Sequence, residues 1–214
     1  MKLIEIDGPS AVGKTSISKL IIDYYNGNFV NEILIDEKSP FKKFNDEESF
    51  LKNQIWIFEK YYNRLNKLDM NKDLYFIDIG LIEILTFSKY YPVIKKIDWN
   101  ITKEFLNIIQ NFDLTKPIAY IIIYLNASEE NLKLRKTLDT SRLRSHHSEN
   151  IEISKYQKEH LENLKKIWSD RIYFLDANKE KKVVLEDVKK IIDTAKPNTK
   201  PITIGNLVEE IFCL

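Results

Sequence analysis

Residues 2–16 read KLIEIDGPSAVGKTS and predict a strand, a loop and a helix in direct succession. Residues 2–6 form a short apolar stretch suited to a buried strand, and after Thr15 apolar residues return at helical spacing. Between them, residues 8–15 satisfy the pattern G-x-x-x-x-G-K-[ST] in the context that it requires, with a strand before it and a helix after it. This stretch therefore predicts a phosphate-binding loop rather than an ordinary tight turn.

The chemistry of such a loop depends on its backbone as much as on its side chains. Glycines allow N–H groups to point inward at phosphate oxygens, beside the positive end of a helix dipole. Lys14 is then expected to reach the β- and γ-phosphates of ATP, and the Thr15 hydroxyl to bind Mg²⁺. The loop alone leaves kinases, GTPases, ATPase motors and nucleic-acid machines as alternatives. The residues expected to contact the nucleotide here are Gly8, Ser10, Ala11, Val12, Gly13, Lys14, Thr15 and Ser16.

The rest of the chain predicts an α/β fold. Short apolar strands alternate with helical patterns, which indicates a three-layer arrangement in which helices cover both faces of a parallel sheet. One domain is expected over residues 1–195, and the residues after Pro197 are expected to form a short separate tail, 196–214. The predicted strands are residues 2–6, 29–35, 74–77, 119–125 and 172–175.

Composition excludes several other classes of protein. The 214 residues carry a formal net charge of +1, so no bulk attraction to nucleic acid or to a membrane surface is expected. No apolar run approaches the ~18 residues that a membrane span needs, and no basic and apolar leader precedes the first strand. The single cysteine, Cys213, fits a reducing compartment. We expect a cytoplasmic protein that binds a small molecule, and we allow for a homodimer.

Carboxylates follow the second and third predicted strands, and in open α/β sheets ligands bind at the edge where these strands end. Asp78 ends the third strand and could hold Mg²⁺ or a bridging water, although a strand-end or helix-capping aspartate would look the same. Glu37 follows the second strand and could take the proton of an acceptor hydroxyl, with a solvated loop acid as the alternative.

Arginine is scarce in this chain and unevenly placed. Three of the five arginines, Arg135, Arg142 and Arg144, lie close together after the fourth strand. Because lysine is the default cation here, repeated arginine suggests planar, two-pronged contacts with phosphate. We therefore expect a mobile lid over residues 139–149 whose arginines neutralise charge during phosphate transfer, with ordinary helix-surface residues as the alternative.

Together these features resemble the P-loop nucleoside and nucleotide kinase family, in particular deoxynucleoside kinases and thymidylate kinases. The resemblance extends from residue 2 to about residue 193. It implies a five-stranded parallel sheet of order 2-3-1-4-5, a helical lid, and ATP and Mg²⁺ as cofactors. The stretches that carry it are IDGPSAVGKTS, YFIDIG, YIIIYLNASEENLKLRK, SRLR, YQKEHLENLKKI and YFLDANKE.

The resemblance also implies roles for individual residues. Gln54 falls where these kinases place an amide that pairs with a base edge, and Arg64 lies on their substrate-facing helix. Glu37 lies near the family's catalytic carboxylate and the acceptor. Residues 176–178 resemble the loop that lies against the adenine of ATP, with Asn178 as its contact. The expected catalytic set is Lys14, Glu37, Asp78 and the lid arginines Arg135, Arg142 and Arg144.

Two departures from the family pattern bear on the acceptor. The family usually has arginine directly after the third-strand acid, where this chain has Ile79, and thymidylate kinases keep another after the second strand, where this chain has none before Arg64. Those arginines grip the acceptor's own phosphate, so their absence favours an uncharged acceptor. We predict a kinase that transfers the ATP γ-phosphate to a hydroxyl of a nucleoside-like acceptor. The alternatives are a thymidylate-type nucleotide kinase, a kinase of another small alcohol such as an antibiotic, and a non-catalytic ATP-binding switch.

Overall fold

The computed structural model describes residues 2–30, 39–40, 45–69, 71–78, 80–138 and 147–213, except the side chains of Asp78 and His147. No helix in these ranges is both long enough and apolar enough to cross a membrane. The strands, in chain order, are β1 (Lys2–Asp7), β2 (Asn28–Val30), β3 (Leu74–Asp78), β4 (Pro117–Ala119), β5 (Ile121–Asn126), β6 (Ile172–Asp176) and β7 (Ile202–Thr203). The helices in these ranges are α1 (Lys14–Tyr25), α2 (Glu47–Asn66), α3 (Leu81–Lys95), α4 (Thr102–Ile109), α5 (Glu129–Leu138), α6 (His147–Ile167), α7 (Lys181–Thr194) and α8 (Ile204–Phe212).

Five strands form one parallel sheet in the order β2-β3-β1-β5-β6, while β4 and β7 pair antiparallel in a small second sheet. Counted without β4, the main sheet has the order 2-3-1-4-5, and the predicted α/β fold with a five-stranded parallel sheet is confirmed. The expected fourth strand is divided at Tyr120, whose N–H donates to the Leu3 carbonyl at 2.7 Å. Of the expected second strand, residues 31–35 lie outside the described residues.

Helices cover both faces of the main sheet, as the three-layer prediction requires. Successive residues of a strand point to opposite faces, so β1 contributes to two apolar clusters. Ile4 and Ile6 pack against α1 and α7. Leu3 packs in the cluster that contains α2, α3, α6 and α8. By the same alternation, Glu5 and Asp7 point to the same face of the sheet as Leu3. Burial of these acidic side chains there costs far more free energy than burial of apolar side chains would.

The chain ends in a helix that packs into the core. At the start of α8 the Thr203 hydroxyl accepts from the Asn206 N–H, and the Asn206 side chain accepts from the Thr203 N–H, which is a reciprocal N-terminal cap. Ile204, Leu207 and Ile211 are buried in the same apolar cluster as α3 and α6. Helix α8, which lies within the segment expected as a tail, 196–214, therefore contributes directly to the core.

A polar chain also connects α8 to α3 and α6. The Tyr90 hydroxyl lies 3.0 Å from His160 Nε2, and His160 Nδ1 lies 3.0 Å from Glu210 Oε1. Asn163 Nδ2 donates to the same glutamate oxygen at 3.0 Å. Burial raises the pKa of Tyr90 to about 12, so its hydroxyl keeps the proton that it can donate to the imidazole. These side chains satisfy one another at the junction of three helices.

Candidate active site

The phosphate-binding loop connects the end of β1 to the start of α1. Gly8 has a φ of 140°, and a Cβ atom there would lie 2.3 Å from the Leu125 carbonyl oxygen of β5, so this position requires glycine. Gly13, with a φ of 106°, is the N-cap of α1, and no side chain caps this helix. The N-terminus of α1 therefore lies at the end of this loop, where the backbone N–H groups of a helix can bind an anion.

Lys14 is folded back over this loop. Its Nζ donates to the Gly8 carbonyl at 2.5 Å and lies 3.4 Å from Glu83 Oε2. The Lys14 side chain is 9% exposed and that of Glu83 is 23% exposed. Glu83 lies in the first turn of α3. Glu83 was not among the site residues predicted from the sequence, although its position five residues after Asp78, just beyond a strand end, was an available signal.

Two completely buried carboxyl groups of β1 lie close by. Asp7 Oδ1 accepts from the Gly80 N–H at 3.4 Å. A Cβ atom on Gly80 would lie 1.5 Å from Glu5 Oε1, so the absence of a side chain at Gly80 makes room for the Glu5 carboxyl group. Burial, reinforced by the Asp7 carboxylate, raises the pKa of Glu5 well above its ordinary value and favours its protonated form. Neither acid was predicted from the sequence as a site residue, although acidic residues at alternate positions of an apolar strand are a visible signal.

Helix α2 contributes two buried polar groups beside these acids. The Tyr61 hydroxyl is hydrogen-bonded to the Leu81 backbone, and burial, together with the nearby Glu5 and Asp7 carboxyl groups, raises its pKa. Gln54 is 1% exposed; its Oε1 accepts from the Ser88 hydroxyl at 3.1 Å, while its Nε2 has no partner among the described residues. Buried polar atoms normally have partners, so Gln54 Nε2 indicates a position for a ligand or water.

Helix α2 also fixes how far apart the two predicted acceptor contacts on it, Gln54 and Arg64, lie from each other. Asn53 is buried and its Oδ1 accepts from the Ser39 hydroxyl at 2.7 Å, which ties the segment after β2 to α2 beside Gln54. Arg64 lies in the last turn of α2, ten residues after Gln54. At the helical rise per residue this is about 15 Å along the axis, so the structure does not bring Arg64 to Gln54.

Two of the residues that were predicted to contact the nucleotide connect loops to each other through hydrogen bonds. Arg135 of α5 donates through Nη1 to the Val12 carbonyl at 3.0 Å and through Nη2 to the Ala177 carbonyl at 2.6 Å. Asn178 Oδ1 accepts from the Ser128 N–H at 2.9 Å. In this structure Arg135 therefore holds the phosphate-binding loop against the loop after β6. The role predicted for Arg135 from the sequence was a lid contact with phosphate.

Several predicted site residues cannot be placed by the structure. The segment 139–146 of the expected lid, Ile79 and the side chain of Asp78 lie outside the described residues. By contrast, the phosphate-binding loop residues that were predicted to contact the nucleotide do lie at the start of α1 or just before it. Among them, Thr15 is partly buried and Ser16 is exposed. The other predicted site residues outside the described part are Glu37, Arg142 and Arg144.

The donors present at this edge of the sheet fit a polyphosphate with a hard cation. The loop offers backbone N–H groups, the ammonium of Lys14 and the Thr15 hydroxyl, and anions bind to such groups. Among the described residues no group of three or more His, Cys, Asp or Glu is arranged to hold a metal ion by itself. Mg²⁺ usually takes one or two protein oxygens and completes its shell with phosphate and water.

The fold matches solved structures of two kinds of kinase. Deoxyadenosine kinase from M. mycoides, with bound dATP, matches with a TM-score of 0.72 at 20% sequence identity, covering 91% of this chain and 100% of that chain. Thymidylate kinase from Candida albicans matches with a TM-score of 0.66 at 16% identity, covering 95% and 97%. No protein-family model and no curated protein matches the sequence. The chain has the fold of the P-loop nucleoside and nucleotide kinases.

Proposed function

We propose that this protein is an ATP-dependent phosphotransferase that moves the γ-phosphate to a hydroxyl of a nucleoside-like acceptor. The observation that carries the proposal is the phosphate-binding loop, in which Gly8 and Gly13 have positive φ and Lys14 begins an uncapped helix. Fold neighbours that are kinases for deoxyadenosine and thymidylate support a nucleoside or nucleotide as acceptor. A cytoplasmic location and a homodimer stay predictions.

The loop would bind the phosphates of ATP. Lys14 Nζ, which contacts the Gly8 carbonyl, would move to the β- and γ-phosphate oxygens and stabilise the charge that develops during transfer. The Thr15 hydroxyl and the Asp78 carboxylate would hold Mg²⁺. When bound there, Mg²⁺ would supply positive charge that neutralises part of the charge on the phosphates during transfer.

Four further residues are assigned to the nucleotide side. Arg135 would keep the loop in place through the Val12 carbonyl, and Asn178 would lie beside the adenine. Arg142 and Arg144 would close over the γ-phosphate as lid residues, because guanidinium groups make planar, two-pronged contacts with phosphate.

The acceptor would bind against α2. The Gln54 amide is oriented by Ser88 at its carbonyl end, which leaves the Nε2 hydrogens for an acceptor atom of a base edge. Glu37 would contact the acceptor hydroxyl. Ile79 replaces the arginine that nucleotide kinases use to grip a phosphate, so the acceptor would be a nucleoside rather than a nucleotide.

A panel of acceptors tests this proposal. ADP release would be measured with nucleosides, with their monophosphates and with small alcohols that are not nucleosides. We expect a nucleoside to exceed its monophosphate by at least about tenfold in kcat/KM. A strong preference for thymidylate over thymidine would support a thymidylate-type kinase instead, and activity with other alcohols alone would support a kinase of that class. ATP hydrolysis without a phosphorylated product would support a nucleotide-binding switch.

A further inference from the structure

Two consecutive polar residues of α2, Asn53 and Gln54, are buried and contact different neighbouring elements. The Asn53 side-chain oxygen accepts a hydrogen bond at 2.7 Å from the hydroxyl of Ser39, in the segment that follows β2. The Gln54 side-chain oxygen accepts from the Ser88 hydroxyl of α3 at 3.1 Å. Because successive residues of a helix point about 100° apart, α2 is hydrogen-bonded to the segment on one side and to α3 on another.

The hydrogen bond between Ser39 and Asn53 provides something that apolar packing cannot. Other buried residues of α2, such as Phe50 and Phe58, are apolar, and a leucine at position 53 would be less costly to bury than an amide. Ser39 is 9% exposed and Asn53 is 6% exposed, so little water competes for their hydrogen bond. A hydrogen bond tolerates only a narrow range of distances and angles. It therefore fixes Ser39 relative to α2.

We propose that Asn53 is a positioning residue for the acceptor, which acts by holding Ser39 and the segment after β2 against α2. This proposal rests on the proposed function of the protein as a kinase. Asn53 directly precedes Gln54, whose Nε2 has no partner among the described residues and so indicates a position for a ligand or water. Ser39 follows Glu37, to which we assign the acceptor hydroxyl, by two residues in the sequence.

The hydrogen bond joins the two elements that carry the groups assigned to the acceptor. Gln54 of α2 would bind the base, and Glu37 of the segment after β2 would contact the hydroxyl, so one acceptor has to contact both elements. Without the hydrogen bond the segment could take several positions relative to α2, and fewer bound acceptors would be aligned for transfer. ATP binding should change little, because the phosphate-binding loop connects other elements, β1 and α1.

Ser39→Ala and Asn53→Ala each remove one partner of this hydrogen bond. With deoxynucleosides as acceptors, each variant should lower kcat/KM for the acceptor by about 10–100-fold, an effect that a small misalignment can have. The dissociation constant of ATP should stay within about twofold of the wild-type value. Ser39→Thr keeps the hydroxyl and should retain most of the activity. The matched control is Asn66→Ala, an exposed residue of α2 whose side-chain oxygen accepts a hydrogen bond from Lys116, and it should change neither quantity.

The double variant Ser39→Ala/Asn53→Ala tests whether the two residues act through this contact. If they do, the double variant should lose about as much kcat/KM as either single variant, because the second change has no hydrogen bond left to remove. Losses that multiply would show that the two residues act separately and would overturn the proposal. If Asn53→Ala does not fold, Ser39→Ala and Ser39→Thr measure the same contact from outside the helix.

The outcomes also separate this proposal from the proposed function. If the wild-type protein phosphorylates no acceptor, the proposed function fails and this proposal fails with it. If the wild type is active and both single variants keep kcat/KM within about threefold, Asn53 is not a positioning residue and the kinase assignment stands. A loss of ATP affinity as large as the loss of kcat/KM would mean that the hydrogen bond supports the fold as a whole, and would also overturn the proposal.

Discussion

Buried polar groups are arranged in opposite ways in two regions of this protein. At the junction of α3, α6 and α8 the polar side chains form a continuous chain of contacts through Tyr90, His160 and Glu210. Beside the phosphate-binding loop, the carboxyl groups of Glu5 and Asp7 are buried against each other, and Gln54 Nε2 lacks a hydrogen-bond partner among the described residues. A buried polar atom without a partner destabilises the fold, whereas a fully paired network does not.

The difference separates a structural region from a functional one. Unpaired buried groups persist in native proteins where a ligand, a water or a chemical step uses them. Conservative changes should therefore have opposite effects in the two regions. At the junction they should destabilise the fold without affecting catalysis, and beside the loop they should affect catalysis or even stabilise the fold.

The largest expected effect is that of Lys14→Ala on catalysis. Removal of the ammonium leaves the phosphates without their closest protein charge, and phosphate transfer should fall by at least about 10³-fold. The melting temperature should change little, because Lys14 contacts backbone carbonyls and Glu83 rather than the apolar core. The control is Lys19→Ala on the exposed side of α1. Near-normal turnover in Lys14→Ala would mean that the loop is not catalytic.

Glu5→Gln should stabilise the protein above neutral pH. The ordinary pKa of a glutamate is near 4.5, and the pKa of Glu5 in the folded state is well above it. Between these two pH values the folded state binds more protons than the unfolded state, so wild-type stability falls as pH rises through this window. Glutamine removes this dependence. The glutamine variant should therefore gain stability relative to the wild type between pH 5 and pH 8.

Chemical denaturation at pH 5 and pH 8 measures this effect. The control is Glu159→Gln, an exposed residue of α6, which should leave the pH dependence unchanged. A Glu5→Gln variant that is less stable than the wild type at pH 8 would show that the buried carboxyl group is satisfied in the folded protein.

Arg135→Lys should have an intermediate effect on both stability and nucleotide binding. Lysine keeps the charge but cannot donate in two directions to the Val12 and Ala177 carbonyls. We expect a loss of about 1 kcal/mol in the free energy of unfolding and weaker ATP binding, measured by calorimetry. Unchanged ATP affinity together with a strongly reduced kcat would instead support the lid role that was predicted from the sequence.

Tyr90→Phe should have the smallest effect. It removes the hydroxyl next to His160 Nε2 and should lower the free energy of unfolding by about 0.5–1 kcal/mol. The kcat of transfer should not change, because this network lies in α3, α6 and α8 and not in the phosphate-binding loop. A reduced kcat at unchanged stability would contradict the division between a structural and a functional region.

Local features of this fold could be predicted from the sequence, and long-range contacts could not. The phosphate-binding loop depends on glycines at fixed spacing between a strand and a helix, so Gly8, Gly13 and Lys14 were found without a structure. The sheet followed from the alternation of strands and helices. By contrast, Arg135 contacts the Val12 carbonyl across 123 residues of sequence, and no local pattern predicts that contact.

The missed acids show a second limit. Glu5 and Asp7 alternate in an apolar strand, which could have indicated buried carboxyl groups, but their role depends on Gly80 in another element. Glu83 has the pattern of an ordinary first-turn glutamate, and only the fold shows that Lys14 lies beside it. The C-terminal segment shows the same limit. Its apolar residues could be seen in the sequence, but their packing against α3 and α6 depends on the tertiary structure.

The most direct test of kinase activity follows the γ-phosphate itself. The protein, in excess over ATP that carries a radioactive γ-phosphate, would be mixed with a set of nucleosides, and the products separated by chromatography. We predict that the label appears in a nucleoside monophosphate with the wild-type protein and stays in ATP with Lys14→Ala. The assignment of this protein as a nucleoside kinase would be contradicted if the label appeared only as inorganic phosphate. It would also be contradicted if the label stayed in ATP with the wild-type protein for every acceptor tested.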